Sequence, residues 1–228
     1  MESSTGLPGT ILANPAARGL PSRAVTKYIA VAGNMGSGKT SLVEFLCKRY
    51  GVQPFYEPHV DNPYLEDFYG DMGRWAFPSQ VSFLTRKLRI HQDLEVHAQS
   101  GTVLQDRTIY EDAEVFATNL HRMGHLTGRD WETYRALYDT VRRSLQPPDL
   151  MLYLRCPVRA IRKRITARGR AMEQEVPTTY LRRLNKLYEA WFEHYDLSPV
   201  LVIDTGKIDY LTDLVDRIDL FRAVEAHL

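Results

Sequence analysis

Gly33-Asn34-Met35-Gly36-Ser37-Gly38-Lys39-Thr40 satisfies the pattern Gly-x-x-x-x-Gly-Lys-(Ser/Thr) at every fixed position. The sequence around it supplies the context that gives the pattern meaning. Residues 27–32 (KYIAVA) form a short apolar run that reads as a buried strand. Residues 39–50 put Leu42, Val43, Leu46 and Cys47 on one helical face before Gly51 closes the helix. A strand, a glycine-rich turn and a helix in that order make a phosphate cradle. The glycines let backbone amides turn inward without side-chain clash, and the helix N-terminus adds partial positive charge. In that frame Lys39 reaches the β- and γ-phosphates of ATP, and Thr40 ligates Mg²⁺. The loop alone does not separate kinases from GTPases or other ATPases. A guanine-reading GTPase needs Asn-Lys-x-Asp; the nearest string, Asn185-Lys186-Leu187-Tyr188, lacks the Asp and lies inside a helical pattern.

The alternation continues outward from the loop. Strands are expected at 53–57, 102–105, 150–154 and 200–203, and helices at 75–97, 110–121, 131–145, 157–168, 177–194 and 210–224. Short apolar strands alternating with helices predict an α/β fold, a five-stranded parallel sheet flanked by helices on both faces. No linker divides the chain after residue 24, so 25–228 reads as one domain. Residues 1–24 are rich in Gly, Pro, Ser and Ala without periodicity and read as a disordered tail.

Composition narrows the function. With 228 residues, 44% of them hydrophobic and 25% charged, the chain has ample material for a core. A net charge of +1 provides no global field for non-specific nucleic-acid binding. No run of 18 apolar residues crosses a membrane, and two distant cysteines, Cys47 and Cys156, read as buried thiols in a reducing compartment, hence a cytoplasmic protein.

In open parallel sheets, ligands sit outside the carboxyl ends of the strands. Two acids fall there, Glu57 and Asp106. A carboxylate in that place holds Mg²⁺ or accepts the proton of an attacking hydroxyl, and its bland alternative is a helix cap. Arg107 follows Asp106 at once. Residues 155–170 hold seven basic side chains, including Arg164 and Arg168 four apart on one face, and Arg170. Such a cluster is either a solvated face or a lid over the triphosphate. Gln80 and Lys87, seven apart, share a helix face; a glutamine amide can bond a base edge bidentately, and Phe116 is placed to stack on a base.

The whole pattern resembles the deoxyribonucleoside kinase family, most closely its bacterial deoxyadenosine/deoxyguanosine kinase branch. The resemblance runs over about 27–220 and rests on GNMGSGKTS (33–41), YEP (56–58), NPYLEDFY (62–69), RWAFPSQ (74–80), QDRTIYED (105–112) and RGRAMEQ (168–174). It implies a P-loop kinase fold with an arginine-rich lid and an ATP- and Mg²⁺-dependent transfer to a deoxynucleoside 5′-hydroxyl. It implies ATP contacts along the loop from Gly33 through Ser41. Glu57 is then the general base, and Arg107 orients the hydroxyl. Asp106 stands at a metal-associated position where many members carry glutamate. Tyr69 and Glu173 hold the sugar 3′-hydroxyl; Gln80 reads the base, Phe116 stacks on it, and Asp112 is an acidic base reader of the kind that purine and cytidine kinases carry, with Lys87 or Arg86 as its cationic partner. Arg164, Arg168 and Arg170 are the lid arginines, and the family is dimeric through the helices bearing Gln80 and Phe116. Two alternatives stay open: a nucleoside monophosphate kinase of thymidylate type, and a nucleotide-binding regulatory module without catalysis. The choice between deoxyadenosine and deoxyguanosine also stays open.

Overall fold

The strand that leads into the phosphate loop lies in the interior of the sheet. A computed structural model describes residues 11–12, 27–56, 62–208, 210 and 213–226. Strand β2 (Tyr28–Ala32) is buried at every residue and pairs in parallel with β4 (Val103–Asp106) on one side and β5 (Leu150–Arg155) on the other. Beyond β4 lies β3 (Gln53–Phe55), and beyond β5 lies β6 (Val200–Asp204), both parallel. The five expected strands are therefore present, in the order β3-β4-β2-β5-β6. A sixth, β1 (Ile11–Leu12), pairs antiparallel with β6 at the outer edge. Ile11 and Leu12 belong to the stretch expected as a disordered tail; the rest of residues 1–24 lies outside the described residues.

Alternate side chains of these strands face opposite layers, as the two-residue period of a strand requires. Ile29, Val31, Leu104, Leu152, Leu154 and Ile203 meet α1 (Lys39–Tyr50) through Leu42, Val43 and Leu46, and meet α10 (Leu214–Glu225) through Leu220 and Val224. Tyr28, Ala30, Ala32, Met151, Tyr153 and Val202 meet α9 (Thr178–Glu193) through Leu184, Leu187, Tyr188 and Phe192, with Leu94 of α3 (Met72–Ala98) beside them. Each fully buried leucine here contributes roughly 2 kcal/mol of apolar burial.

A third core joins α3 to the helical stretch after β4 and to α6 (Gly128–Arg142), through Leu84, Ile109, Tyr110, Leu120, Tyr134 and Tyr138. The stretch after β4 is not one regular helix. It opens as α4 (Ile109–Glu111), widens to a π-helical segment (Asp112–Ala117) and closes as α5 (Thr118–Arg122). After β5 come α7 (Val158–Arg168) and α8 (Ala171–Gln174).

Several boundaries differ from expectation, among them α6, which runs Gly128–Arg142 and not 131–145. A short helix, α2 (Leu65–Gly70), precedes α3, and α3 itself begins at Met72, where the Asp71 carboxylate accepts from Arg74 N at 3.1 Å. Pro78 therefore lies inside the helix and not at its start. It has no N–H for the carbonyl four residues earlier, which is the local cost of a proline there. Helix α10 begins at Leu214, capped by Asp213 and not at 210. Of the two cysteines, Cys156 is buried and Cys47 half-buried, and neither is in a disulfide.

Candidate active site

The chain leaves β2 toward β3 on one side and later reaches β5 and β6 on the other, so the reversal of strand order falls between β2 and β4. Ligands of open α/β sheets bind at such a crevice. In this register Val31 sits opposite Asp106, which places the mouth of the phosphate loop beside the end of β4.

The loop is built from the backbone outward. Gly33 has φ of 149°, and a Cβ there would lie 2.8 Å from the Leu154 carbonyl oxygen, so only glycine fits against β5. Helix α1 has no side-chain cap at Gly38 and no acid in its first turn, which leaves its N-terminus open to an anion. Lys39 Nζ donates to Gly33 O at 2.8 Å and Asn34 O at 3.0 Å, lying along the loop.

Side chains from distant elements clamp the loop. Asn34 Nδ2 donates to Leu181 O at 3.0 Å and to Asn185 Oδ1 at 2.5 Å, while Asn185 Nδ2 donates to Cys156 O at 2.9 Å. Asn185, examined in the sequence as part of a failed guanine signature, is thus a structural pin. Tyr210 donates to Gly38 O at 2.9 Å, and Thr205 Oγ1 to Ser37 O at 3.1 Å. Arg164 belongs to the same clamp. Its guanidinium donates to Ser37 O at 3.0 Å and Thr205 O at 2.7 Å. Arg168 and Arg170 are exposed and both pair with Glu173. The three expected lid arginines therefore divide: one braces the loop from α7, and two sit with an acid just beyond it.

The expected metal ligands come together. Thr40 Oγ1 donates to Asp106 Oδ2 at 2.5 Å. Asp106 is 2% exposed, and its Oδ1 has no hydrogen-bond partner among the described residues.

Next to it, Arg107 has φ of +65°, the one non-glycine residue with positive φ among those described, and its N–H donates to Val31 O at 3.0 Å. A left-handed arginine costs ~1–3 kcal/mol and persists where surroundings over-determine it. Here the guanidinium lies 4.5 Å from the Phe116 ring centroid, a cation–π contact in a buried setting.

The expected base-reading residues line the inner stripe of α3 and the π segment. Gln80, Leu84, Lys87, His91 and Leu94 are buried along one face of α3. Lys87 Nζ pairs with Asp112 at 2.9 Å and donates to Thr108 O at 3.3 Å; both side chains are almost wholly buried. Gln80 is 4% exposed, yet its Oε1 has no partner among the described residues. A buried amide oxygen left unsatisfied costs ~1–3 kcal/mol. Asn62 holds the preceding loop to α3, donating to Ser79 O at 3.2 Å beside Gln80.

Tyr69 stands half in solvent at the end of α2. Tyr180, from α9, interacts with both Tyr69 and Arg107 and bonds Asn119; burial pushes its hydroxyl above the ordinary tyrosine range. Glu57 lies outside the described residues, as the chain is described up to Tyr56 after β3.

Sequence reading missed Glu111, Asn185, Tyr188, Thr205 and Tyr210, whose partners lie scores of residues away. The one available signal was Glu111 three residues after Thr108, a helix capping box.

Residues 29–228 match the family model described as deoxynucleoside kinase. The chain belongs to the deoxynucleoside kinase family. Within the family it is 38% identical to a deoxyguanosine kinase of Lactobacillus acidophilus, over 83% of this chain and 85% of that one. It is 34% identical to a deoxyadenosine/deoxycytidine kinase of Bacillus subtilis, over 81% and 85%. Among solved structures, deoxyadenosine kinase from M. mycoides with dCMP and dCDP bound superposes with a TM-score of 0.76. That match has 28% identity and covers 88% of this chain and all (100%) of that one. The parallel sheet and flanking helices of this deoxynucleoside kinase are thus those of a P-loop kinase.

Proposed function

We propose that this deoxynucleoside kinase transfers the γ-phosphoryl group of ATP to the 5′-hydroxyl of a purine deoxyribonucleoside. The observation that carries the reading is the buried, unsatisfied Gln80 Oε1 on the same helix face as the Lys87–Asp112 pair. A base edge offers the donor that the Gln80 amide oxygen lacks. An amide and a lysine match the N7 and exocyclic positions of a purine. Relatives named for deoxyguanosine and for deoxyadenosine support the purine assignment.

The residues then take these roles. The 5′-oxygen bonds to the γ-phosphorus as the bond to the β-phosphate oxygen breaks and ADP leaves. Glu57, two residues beyond the last residue of β3, takes the proton. Arg107, held in its unusual conformation, orients the hydroxyl. Lys39 and the amides of the loop from Gly33 to Ser41, including Met35 and Gly36, hold the phosphates, and Arg168 and Arg170 close from α7 and beyond it. Tyr69 and Glu173 hold the 3′-hydroxyl, and Phe116 carries the base. Thr40 and Asp106 would hold Mg²⁺: two hard oxygen ligands side by side, one of them with a buried lone carboxylate oxygen, suit that ion. When bound, Mg²⁺ neutralises charge between the β- and γ-phosphates.

We further place the protein in the cytoplasm as a homodimer. Among the described residues no helix is long and apolar enough to cross a membrane. The partly buried Trp75, Phe77, Val81 and Leu88 of α3 give a dimer through the Gln80 helix an apolar surface.

A turnover panel tests the reading: four deoxynucleosides, the matching ribonucleosides and the matching monophosphates, each with Mg·ATP. Deoxyadenosine or deoxyguanosine should be the best acceptor. Preferential turnover of a monophosphate would show an acceptor-phosphate kinase instead, and no turnover would leave a binding module.

A further inference from the structure

Glu111 has no part in the reaction as described, yet its carboxylate sits where the two halves of the site meet. It is fully buried, at 0% exposure. Oε1 accepts from Gly33 N at 3.1 Å and from the Tyr188 hydroxyl at 2.7 Å, and Oε2 accepts from Thr108 N at 2.9 Å. A buried carboxylate is costly without such donors, so the three bonds must be kept together.

Each bond reaches a different working part. Gly33 opens the phosphate loop, and its carbonyl accepts from Lys39 Nζ, so that this one residue is held at both its N–H and its C=O. Thr108 directly follows Arg107, and its carbonyl accepts from Lys87. Tyr188 meets Phe116 edge-on at 6.4 Å, the ring over which the Arg107 guanidinium lies. Capping α4 explains the bond to Thr108 alone. It gives no reason for a carboxylate from the helix after β4 to hold the first amide of a loop 78 residues earlier in the chain.

We propose that Glu111 is a positioning residue that fixes the start of the phosphate loop against the 107–112 segment, and so holds the γ-phosphate in line with the acceptor hydroxyl. The inference rests on the phosphoryl transfer proposed above. A misplacement of ~1 Å between reacting groups is enough to cost ~10²-fold in rate, so the effect belongs in turnover and not in the affinity for either substrate.

The test uses full-length protein carrying Glu111→Gln, with Tyr188→Phe as a second, milder variant. The glutamine keeps the length of the side chain, but its NH₂ cannot accept from a backbone N–H, so one tie is replaced by a donor–donor contact. Glu111→Gln should lower kcat ~10- to 100-fold while KM for ATP and for nucleoside stays within ~3-fold. Tyr188→Phe keeps both backbone ties and should lower kcat less, with the same unchanged KM values. Exchange should be at least ~10-fold faster in Glu111→Gln at whichever backbone amide, Gly33 or Thr108, faces the glutamine NH₂, with amides of β5 unaffected. A kcat within twofold of wild type, a loss confined to KM, or unchanged exchange at both Gly33 and Thr108 would overturn the proposal. A wild-type protein that phosphorylates no nucleoside would sink the proposed reaction instead, and the exchange measurement would still decide whether Glu111 holds the loop. If Glu111→Gln does not fold, the kcat and KM of Tyr188→Phe carry the decision.

Discussion

Arg107 shows best how a single residue is bent to a task. Its φ of +65° is unfavourable for any side chain beyond Cα, and glycine would relieve it. Glycine would also forfeit the contact with Phe116, so the two effects on stability oppose each other. With the guanidinium assigned to the acceptor hydroxyl, Arg107→Gly should change folding stability by no more than ~2 kcal/mol while kcat falls by ~10² or more. Thermal unfolding and steady-state kinetics on one preparation check both halves. Gln80 makes the complementary case. Gln80→Ala removes the buried unsatisfied oxygen, so folding stability should hold within ~1 kcal/mol. Discrimination between purine and pyrimidine deoxynucleosides should shrink by ~10-fold or more, with the KM for ATP unchanged. Equal losses for ATP and nucleoside would make Gln80 a structural residue.

At the scale of elements, the phosphate loop and its two flanking elements were legible because their signal is local: glycine spacing, an apolar strand and an amphipathic helix within 25 residues. The inner stripe of α3 was legible too, since Gln80 and Lys87 recur at a helical period. Other features were not, and for stated physical reasons. The π segment from Asp112 to Ala117 has an ordinary helical pattern; one extra residue in the turn is set by tertiary packing, yet it carries both Asp112 and Phe116. The Asn34–Asn185 pin joins elements with no local relation, one member reading as a phosphate-loop residue and the other as part of a helical pattern. Asn34→Ala should remove the loop's tie to α9 and raise the KM for ATP by ~5- to 50-fold, with a smaller change for nucleoside. An unchanged KM for ATP would show that the loop holds its shape without that pin.

For the whole molecule, the five parallel strands were legible in their alternation with helices, but strand order came from the structure, and order is what sets β2 beside β4 and so Thr40 against Asp106. The core between sheet and α3 contains one further consequence. His91 is wholly buried, edge-on to Tyr28 at 5.5 Å and beside Glu95, whose carboxylate also accepts from Gln146 N. Burial lowers its pKa, partly offset by Glu95. A depressed histidine pKa means the unfolded chain binds the proton first. The stability that neutral His91 provides is present above about pH 6.5 and drains away as pH falls below it. His91→Phe should therefore lose less melting temperature than wild type between pH 7.5 and pH 5.5; an identical loss would remove His91 from the acid response. The central claim concerns where the phosphoryl group goes, and ATP labelled at the γ-phosphate reports it directly. Offered deoxyadenosine, deoxyguanosine, their 5′-monophosphates and their 5′-deoxy analogues, the kinase should place the label on the 5′-oxygen of at least one of the first two and on neither analogue. Label on a monophosphate acceptor, or on an analogue without its 5′-hydroxyl, would contradict the assignment.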